Sequence, residues 1–560
     1  VFHQGTGRIY DESEIDVSCI QAIRQFCLVS KKIKLPCTPE REREALNSFV
    51  AIEHDLSVSE LQESDTADFL AVSSVLWGNI DAICSDSLIP RHGPGAVEER
   101  LSSNAKYSWK RWHNRLEPYF PFAGTAYTVS SYGSEEFESV TVVSECDEQP
   151  VRVITVPKTL KSPRIIAIEP CCQQYVQQAI RRSLYDWIER APLTTGHVNF
   201  RDQNINRSLA LVASSGERSL ATLDLSEASD RVIYSLAIRM FDSNPDLKDA
   251  ITACRSTRAL LPNGEVITDL KKFASMGSAL CFPVESMYFY TICVVALLRK
   301  HNLPVTFRNV LFVSRDVYVY GDDLFVPQHV AVDVVSCLQK YYCKVNANKS
   351  FWTGKFRESC GMDAYNGIDV TPIYIRYPHP NSKRQASEIV SWVKTANMLE
   401  KSGMCATSDY MFSVVEKIIG PLPVVHEKSP LLGRTTTHRS LTVGRKSPSV
   451  KTKTKQVQMI YPGTEGYMFV PGPVVNGSAQ HLEVKGWVAE PVYNTDTLEG
   501  YAALMKSLSS LAVQPIRSNL MSDELPAIDD KHLERSARHG AVALKLRWVP
   551  VGFDYRHSRC

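Results

Sequence analysis

Val317-Tyr-Val-Tyr320-Gly321-Asp322-Asp323-Leu-Phe-Val326 sets two short β-rich runs around a glycine and two adjacent acids. The pattern predicts a hairpin with Asp322 and Asp323 at its tip, where Gly321 permits the tight turn. Two neighbouring carboxylates shielded from water repel, so a cation is their natural partner. Magnesium prefers hard oxygen ligands and usually takes only a few from protein. Nucleotidyl transfer uses two such ions, about 3.5–4 Å apart, bridged by carboxylates. A plain surface turn can carry the same residues, since Gly-Asp is ordinary turn chemistry. The surrounding segments must decide.

Toward the N-terminus, Ala221-Thr-Leu-Asp224-Leu-Ser-Glu-Ala-Ser-Asp230-Arg-Val runs from an apolar strand, Leu220 to Leu225, into an expected helix, Arg231 to Met240. Asp224 falls at the strand end, where it can join the hairpin carboxylates in a shared metal site. Asp230 lies near a helix start, so it is either a first-turn acid favoured by the helix dipole or a group near a ribose. Phe273-Ala-Ser275-Met-Gly277-Ser278 then opens a long apolar segment. Ser275, Gly277 and Ser278 would let a nucleotide lie close to the backbone, although a serine helix cap is the plainer reading. Ala279 to Leu298 is nearly long enough for a bilayer, but Pro283, Glu285 and Ser286 interrupt it, which favours a buried core helix.

Val151 to Val156 and Ile165 to Ile168 read as strands joined by a basic loop, Lys158-Thr-Leu-Lys161-Ser-Pro-Arg164. A helix is expected from Cys172 through Ile188, another from Val330 to Tyr342, and a hairpin turn at Asn366-Gly367. Thr38-Pro39-Glu40 predicts a helix start. Lys106 to Arg115 interleaves Lys106, Lys110, Arg111 and Arg115 with Tyr107, Trp109 and Trp112; it suits a nucleic-acid backbone with base stacking, or an amphipathic helix with a solvated basic face. After about residue 376 the pattern turns helical and then loses periodicity. Lys428 to Lys455 holds eight basic residues and no acid, which predicts a flexible basic linker.

The 560 residues suggest several domains or one multi-lobed enzyme, and 44% hydrophobic with 22% charged residues is a globular composition. A net charge of +2 gives no global pull toward nucleic acid, so any such affinity must be local. The 15 cysteines include no CxxC pair and argue for reduced intracellular thiols rather than a disulfide scaffold. The first residues lack the basic and apolar regions of a signal peptide.

Taken in order, Asp224, Ser275-Met-Gly277 and Gly321-Asp322-Asp323 resemble the palm motifs of viral RNA-directed RNA polymerases. Arg91-His-Gly-Pro-Gly-Ala, Thr155-Val-Pro-Lys158, Ile168-Glu-Pro170, Asp202-Gln-Asn-Ile-Asn206 and Phe356-Arg-Glu-Ser-Cys-Gly361 narrow the likeness to the replicase subunit of the leviviruses, small positive-strand RNA bacteriophages. The resemblance covers about residues 91 to 376. It implies an α/β right hand of fingers, palm and thumb, with an antiparallel palm sheet backed by helices. The implied boundaries are 1–150 for an N-terminal region with part of the fingers, 151–223 for fingers with the nucleotide loop, and 224–375 for the palm, with a fingers insertion at about 241–272. They continue with 376–430 for the thumb and 431–560 for the basic linker and C-terminal region.

The resemblance further implies catalytic Asp224, Asp322, Asp323 and Lys349, the three aspartates holding two Mg2+ ions for which Mn2+ can substitute. Lys349, in Asn346-Ala-Asn-Lys349-Ser, would protonate pyrophosphate; an ordinary surface lysine is the alternative. Nucleotide contacts would come from Lys158, Lys161, Arg164, Asp230, Ser275 and Gly277, and RNA contacts from Lys110, Arg111 and Arg357. Implied partners are RNA template and product, ribonucleoside triphosphates, host elongation factors Tu and Ts and an RNA-binding ribosomal protein, in the cytoplasm of a bacterial host and without a membrane. Two departures from animal and plant virus enzymes stand out. Asp230 lies six rather than five residues after Asp224, and Glu285 stands where an asparagine is usual, as in the phage group. A reverse transcriptase also uses a Tyr-x-Asp-Asp hairpin, but Leu225-Ser-Glu-Ala-Ser229 lacks the bulky aromatic that excludes a 2′-hydroxyl. A non-catalytic RNA-binding scaffold would have no need of all three aspartates.

Overall fold

The computed structural model describes residues 15–83, 88–101, 103–127, 133–158, 162–425, 427 and 429–435, with strand segments at 442–443, 450–452, 468–469, 482–491 and 542–550. The chain divides into two compact units. Val1–Phe26, Cys37–Pro372 and Asp496–Ser522 form the first; Cys27–Pro36, Ile373–Thr495 and Asp523–Cys560 form the second.

The first unit mixes helices and strands. Helix α1 (Pro39–Ser57) starts as its sequence requires: Thr38 accepts a hydrogen bond from the Arg41 amide, and a proline sits in the first turn. Helix α2 (Glu63–Trp77) follows. Strands β1 (Val151–Val156) and β2 (Arg164–Ile168) pair antiparallel, with Val156 opposite Arg164 at the base of the basic loop. Next come α3 (Cys171–Ile188), α4 (Asn204–Ser215) and β3 (Leu220–Ser226). Helix α5 (Cys281–Lys300) leads to the hairpin β4 (Tyr318–Tyr320) and β5 (Asp323–Pro327), then α6 (Ala331–Lys340) and β6 (Lys344–Val345). Strands β7 (Phe356–Ser359), β8 (Met362–Tyr365) and β9 (Ile368–Asp369) make an antiparallel meander whose last turn is Asn366-Gly367, as expected.

The central sheet runs β6-β3-β5-β4 with every pair antiparallel. Leu223 and Leu225 alternate with Asp224 along β3, so the two leucines enter the core while the carboxylate points to the other face. Helices α5 and α6 contribute to the core cluster that contains these leucines. Helix α5 is long and apolar enough to cross a bilayer, yet 17 of its 20 residues are buried in protein, so it is a core helix here.

Two expectations fail. Residues 106–115 form no amphipathic helix: a 3-10 turn (Ser103–Tyr107) precedes a short strand (Arg111–His113). Trp109 and Trp112 are 5% and 0% exposed, so their rings pack the core and cannot stack on bases. The helix expected from Arg231 to Met240 is broken; only Tyr234–Ala237 is α-helical, between 3-10 turns at Ser229–Arg231 and Ile238–Phe241.

In the second unit, α7 (Ala386–Lys401) and α8 (Cys405–Ile419) bury Ile389, Val393 and Leu399 against Phe412, Val415 and Ile419. Of the basic run Lys428 to Lys455, Arg434 is paired with Asp409 and Glu416; the other basic side chains lie outside the described residues.

Candidate active site

Strand register brings the three acids together. Asp224 lies directly opposite Asp323 in the β3–β5 pair, and Asp322 occupies the β4–β5 turn beside them. Cross-strand partners share one face of a sheet, so Asp224 and Asp323 project to the same side.

The turn is held from beneath by α5. The Ser286 hydroxyl accepts from the Gly321 amide at 3.1 Å and donates to the Phe282 carbonyl at 2.8 Å. Gly321 has φ +62°, and a Cβ there would lie 2.4 Å from the Phe282 ring and 3.2 Å from a Glu285 carboxyl oxygen. Only glycine fits. Glu285 is buried behind the turn; burial first and Asp322 second raise its pKa well above the usual carboxylate range.

Each aspartate has distinct partners. Asp224 Oδ2 accepts from the Asn346 side-chain amide at 2.9 Å, and Oδ1 from the Lys349 ammonium at 3.1 Å. Asp323 Oδ2 accepts from the Cys360 amide at 3.0 Å. Crowding by surrounding protein, then the Asp224 charge, pushes Asp322 above its usual range. Burial and Asp322 push Asp323 up to about 7.

Asp322 and Asp323, raised by burial first and by a neighbouring carboxylate second, fit a hard divalent cation, which would offset that repulsion. Among the described residues no three His, Cys, Asp or Glu side chains already form a closed ligand cluster. Asn346, Lys349 and the Cys360 amide satisfy Asp224 and Asp323 instead. Asn346, one residue past β6, was given no role from the sequence; it was visible beside Lys349, but its contact with Asp224 was not.

The basic loop is brought to this site in part. Lys158 is solvent-exposed, yet its pKa is lowered by desolvation and by Arg164 and Lys349, against the opposing pull of Asp322 and Asp224. Arg164 is exposed at the start of β2. Lys161 lies outside the described residues. For Lys349, burial lowers the pKa, but Asp224 and Glu358 outweigh it and the net shift is upward.

Asp230 and Ser275 do meet: the Ser275 hydroxyl donates to Asp230 Oδ1 at 2.9 Å. The Asp230 side chain caps no helix; its 3-10 turn has no side-chain cap. Gly277 (φ +134°) serves a chain–chain contact, since a Cβ there would lie 1.9 Å from the Ala167 carbonyl oxygen of β2. The Ala167 amide also donates to the Met276 carbonyl. The close neighbour is therefore a strand.

Lys110 and Arg111 are exposed. Arg357 is not. It is 2% exposed and donates to the Leu220, Gly354 and Phe356 carbonyls at 2.7 to 2.9 Å. Its guanidinium ties β7 to β3, which corrects the expectation of an RNA contact.

Residues 128–387 match the family described as RNA replicase, beta-chain, in agreement with the resemblance read from the motifs. Among individual relatives, the RNA-directed RNA polymerase subunit beta of Escherichia virus Qbeta is 36% identical over 231 residues, which is 40% of this chain and 35% of that one. The subunit of Qbeta virus strain MX1 is 35% identical over 230 residues, again 40% of this chain and 35% of the relative. The beta chain of Enterobacteria phage fr is 36% identical over 226 residues, or 40% and 38%. The matched part thus spans little more than a third of these relatives. Among solved structures, the RNA-dependent RNA polymerase of a human picorbirnavirus aligns over 48% of this chain and 55% of its own, at 12% identity and a TM-score of 0.34.

Proposed function

We propose that this chain synthesises RNA on an RNA template from ribonucleoside triphosphates, by two-metal nucleotidyl transfer, in the replication of a phage genome inside a bacterial cell. The observation that carries this is the convergence of Asp224, Asp322 and Asp323 from two elements onto one point, where burial and neighbouring carboxylates raise Asp322 and Asp323. Asp224, Asp322 and Asp323 would hold Mg2+, which when bound activates a primer hydroxyl and neutralises charge on the phosphates.

The chain's own residues do the rest. Lys158 and Arg164, at the two ends of the basic loop, bind the triphosphate; Arg adds forked hydrogen bonds to phosphate oxygens. Lys349 holds Asp224 and is the candidate proton donor to pyrophosphate. Asp230 and Ser275 present oxygen atoms to the sugar. Lys110 and Arg111 contact the RNA backbone. In this reading residues 224–375 are the palm, 151–223 belong to the fingers and 376–430 are the thumb. Assembly with host elongation factors Tu and Ts and a ribosomal protein rests on the family resemblance alone, and copurification from host lysate tests it.

The deciding experiment supplies the purified chain with a primed RNA template, Mg2+ and either ribonucleotides or deoxyribonucleotides. Templated ribonucleotide addition is expected. Preferential deoxyribonucleotide addition identifies a reverse transcriptase, and no addition of either by the folded chain refutes the enzyme reading.

A further inference from the structure

The loop that carries Ser275 hides a lysine that no motif singled out. Lys272 is 0% exposed. Its ammonium lies 3.0 Å from Asp230 Oδ1 and 3.2 Å from Glu53 Oε1, and it sits 3.3 Å from the centre of the Phe49 ring. A buried ammonium is costly unless it is paired. Here two carboxylates and an aromatic face receive it, both Glu53 and Phe49 coming from α1.

Each component is itself held. Glu53 Oε2 accepts from the Lys271 amide at 2.6 Å. The backbone around Lys272 is bridged to Ile233, and the Phe273 amide donates to the Val232 carbonyl at 2.7 Å. Arg255, also buried, donates to the carbonyls of Leu270, Lys272 and Phe273 and packs its guanidinium over the Tyr234 ring. The ammonium therefore occupies a fixed point, and it fixes Asp230 in turn.

The pattern on Asp230 is one-sided. Oδ1 receives both the Lys272 ammonium and the Ser275 hydroxyl, while Oδ2 receives no hydrogen bond from any described residue. With Oδ1 pinned, the carboxylate cannot rotate freely. Oδ2 is left as the acceptor for a hydroxyl donor beside the catalytic turn, where the charge of Asp230 reaches Glu285.

We propose that Lys272, backed by Glu53, is a positioning residue for sugar selection: it orients Asp230 so that the free carboxylate oxygen accepts a hydroxyl of the incoming ribose. This deepens the polymerase reading and rests on it. It also gives α1, far away in sequence, a part in choosing the nucleotide.

The test is single-nucleotide addition by the full chain on a primed RNA template, with each ribonucleotide and its 2′-deoxy counterpart. Lys272→Met should raise the ribonucleotide KM by about tenfold, the size of losing one hydrogen bond to a charged group, with a smaller fall in kcat. The preference for ribose over deoxyribose should fall by a similar factor. Lys272→Arg should recover part of that preference. Glu53→Gln keeps the ammonium and should shift the preference in the same direction by less; it also serves if Lys272→Met does not fold. A preference unchanged from wild type in every folded variant, with only thermal stability reduced, overturns the proposal and leaves Lys272 as a structural tie. Wild-type protein that adds no nucleotide refutes the polymerase reading itself, and this inference with it.

Discussion

The two aspartate sites of the first unit are built in opposite ways. At Asp230 the compensating charge is internal: Lys272 is sealed between two carboxylates and completes the site. At the hairpin, Asp322 and Asp323 have no ion-pair partner among the described residues, and burial first and a neighbouring carboxylate second raise their pKa values. Among the described residues, Lys349, itself 45% exposed, pairs with Asp224, and the charge of Lys158 opposes part of the rise at Asp322. The contrast separates a site that orients a ligand from one that awaits a cation. Asp230 keeps a buried ammonium as its fixed partner, whereas Asp322 and Asp323 have no ion-pair partner among the described residues and gain by binding a cation.

The largest expected effect comes from cutting the hairpin site. Asp322→Asn or Asp224→Asn should reduce nucleotide addition on the order of 10³-fold or more, because a shared metal ligand is lost. Circular dichroism should remain that of wild type. Near-normal addition by either folded variant would break the contrast, since the acids would then be no more than a polar turn.

Arg357 supplies a stability test. Replacing it with Met leaves the Leu220, Gly354 and Phe356 carbonyls without their donor and should cost about 2–4 kcal/mol in denaturant unfolding. The slope of RNA affinity against salt should not change, since a buried guanidinium releases no counterions. A flattened slope in a stable Arg357→Met protein would restore Arg357 as an RNA contact.

Arg164→Gln should raise the nucleotide KM about tenfold, as one charge-assisted contact is lost, and leave template affinity nearly intact. If RNA affinity falls while KM holds, the loop between β1 and β2 grips RNA rather than triphosphate.

The smallest effect is one of pH. Asp323 sits at about 7 in the cation-free chain, whereas an aspartate in the unfolded chain titrates near ~3.9. The folded state therefore keeps its proton longer, and this contribution to stability is full at low pH and lost as pH rises from about 4 to about 7. Chelated protein should lose roughly 1–2 kcal/mol across that window, after discounting for partial exposure. Mg2+ should restore more stability at pH 8 than at pH 5, because ligands must be deprotonated to bind. Asp323→Asn should flatten both trends; trends that persist unchanged in that variant would assign them to other groups.

What the sequence revealed follows range of interaction. The hairpin at Gly321, the strand ending in Asp224 and the turn at Asn366-Gly367 each depend on a few neighbouring residues, and all were legible. Burial was not. Arg357 reads as a cation available to RNA until β3 and β7 are brought together around it. Trp109 and Trp112 read as stacking rings until the core encloses them. Gly277 marks a close approach, but composition alone cannot say that the neighbour is Ala167. Glu53 meets Lys272, Lys272 meets Asp230 and Asn346 meets Asp224 only through tertiary structure, across 219, 42 and 122 positions, and no local pattern announces them. The expected helix after Asp230 broke because Val232 and Tyr234 exchange hydrogen bonds with the Lys271–Phe273 segment.

The central claim is that the three hairpin-site carboxylates form a cation-dependent centre for RNA synthesis. Primer extension by wild-type chain on a defined RNA template, followed across a Mg2+ titration that starts in chelator, tests it most directly. The expected result is no extension in chelator and a saturable rise with Mg2+, each added ribonucleotide complementary to the template. Extension undiminished in chelator, or none at any Mg2+ or Mn2+ concentration by a folded chain, would contradict it.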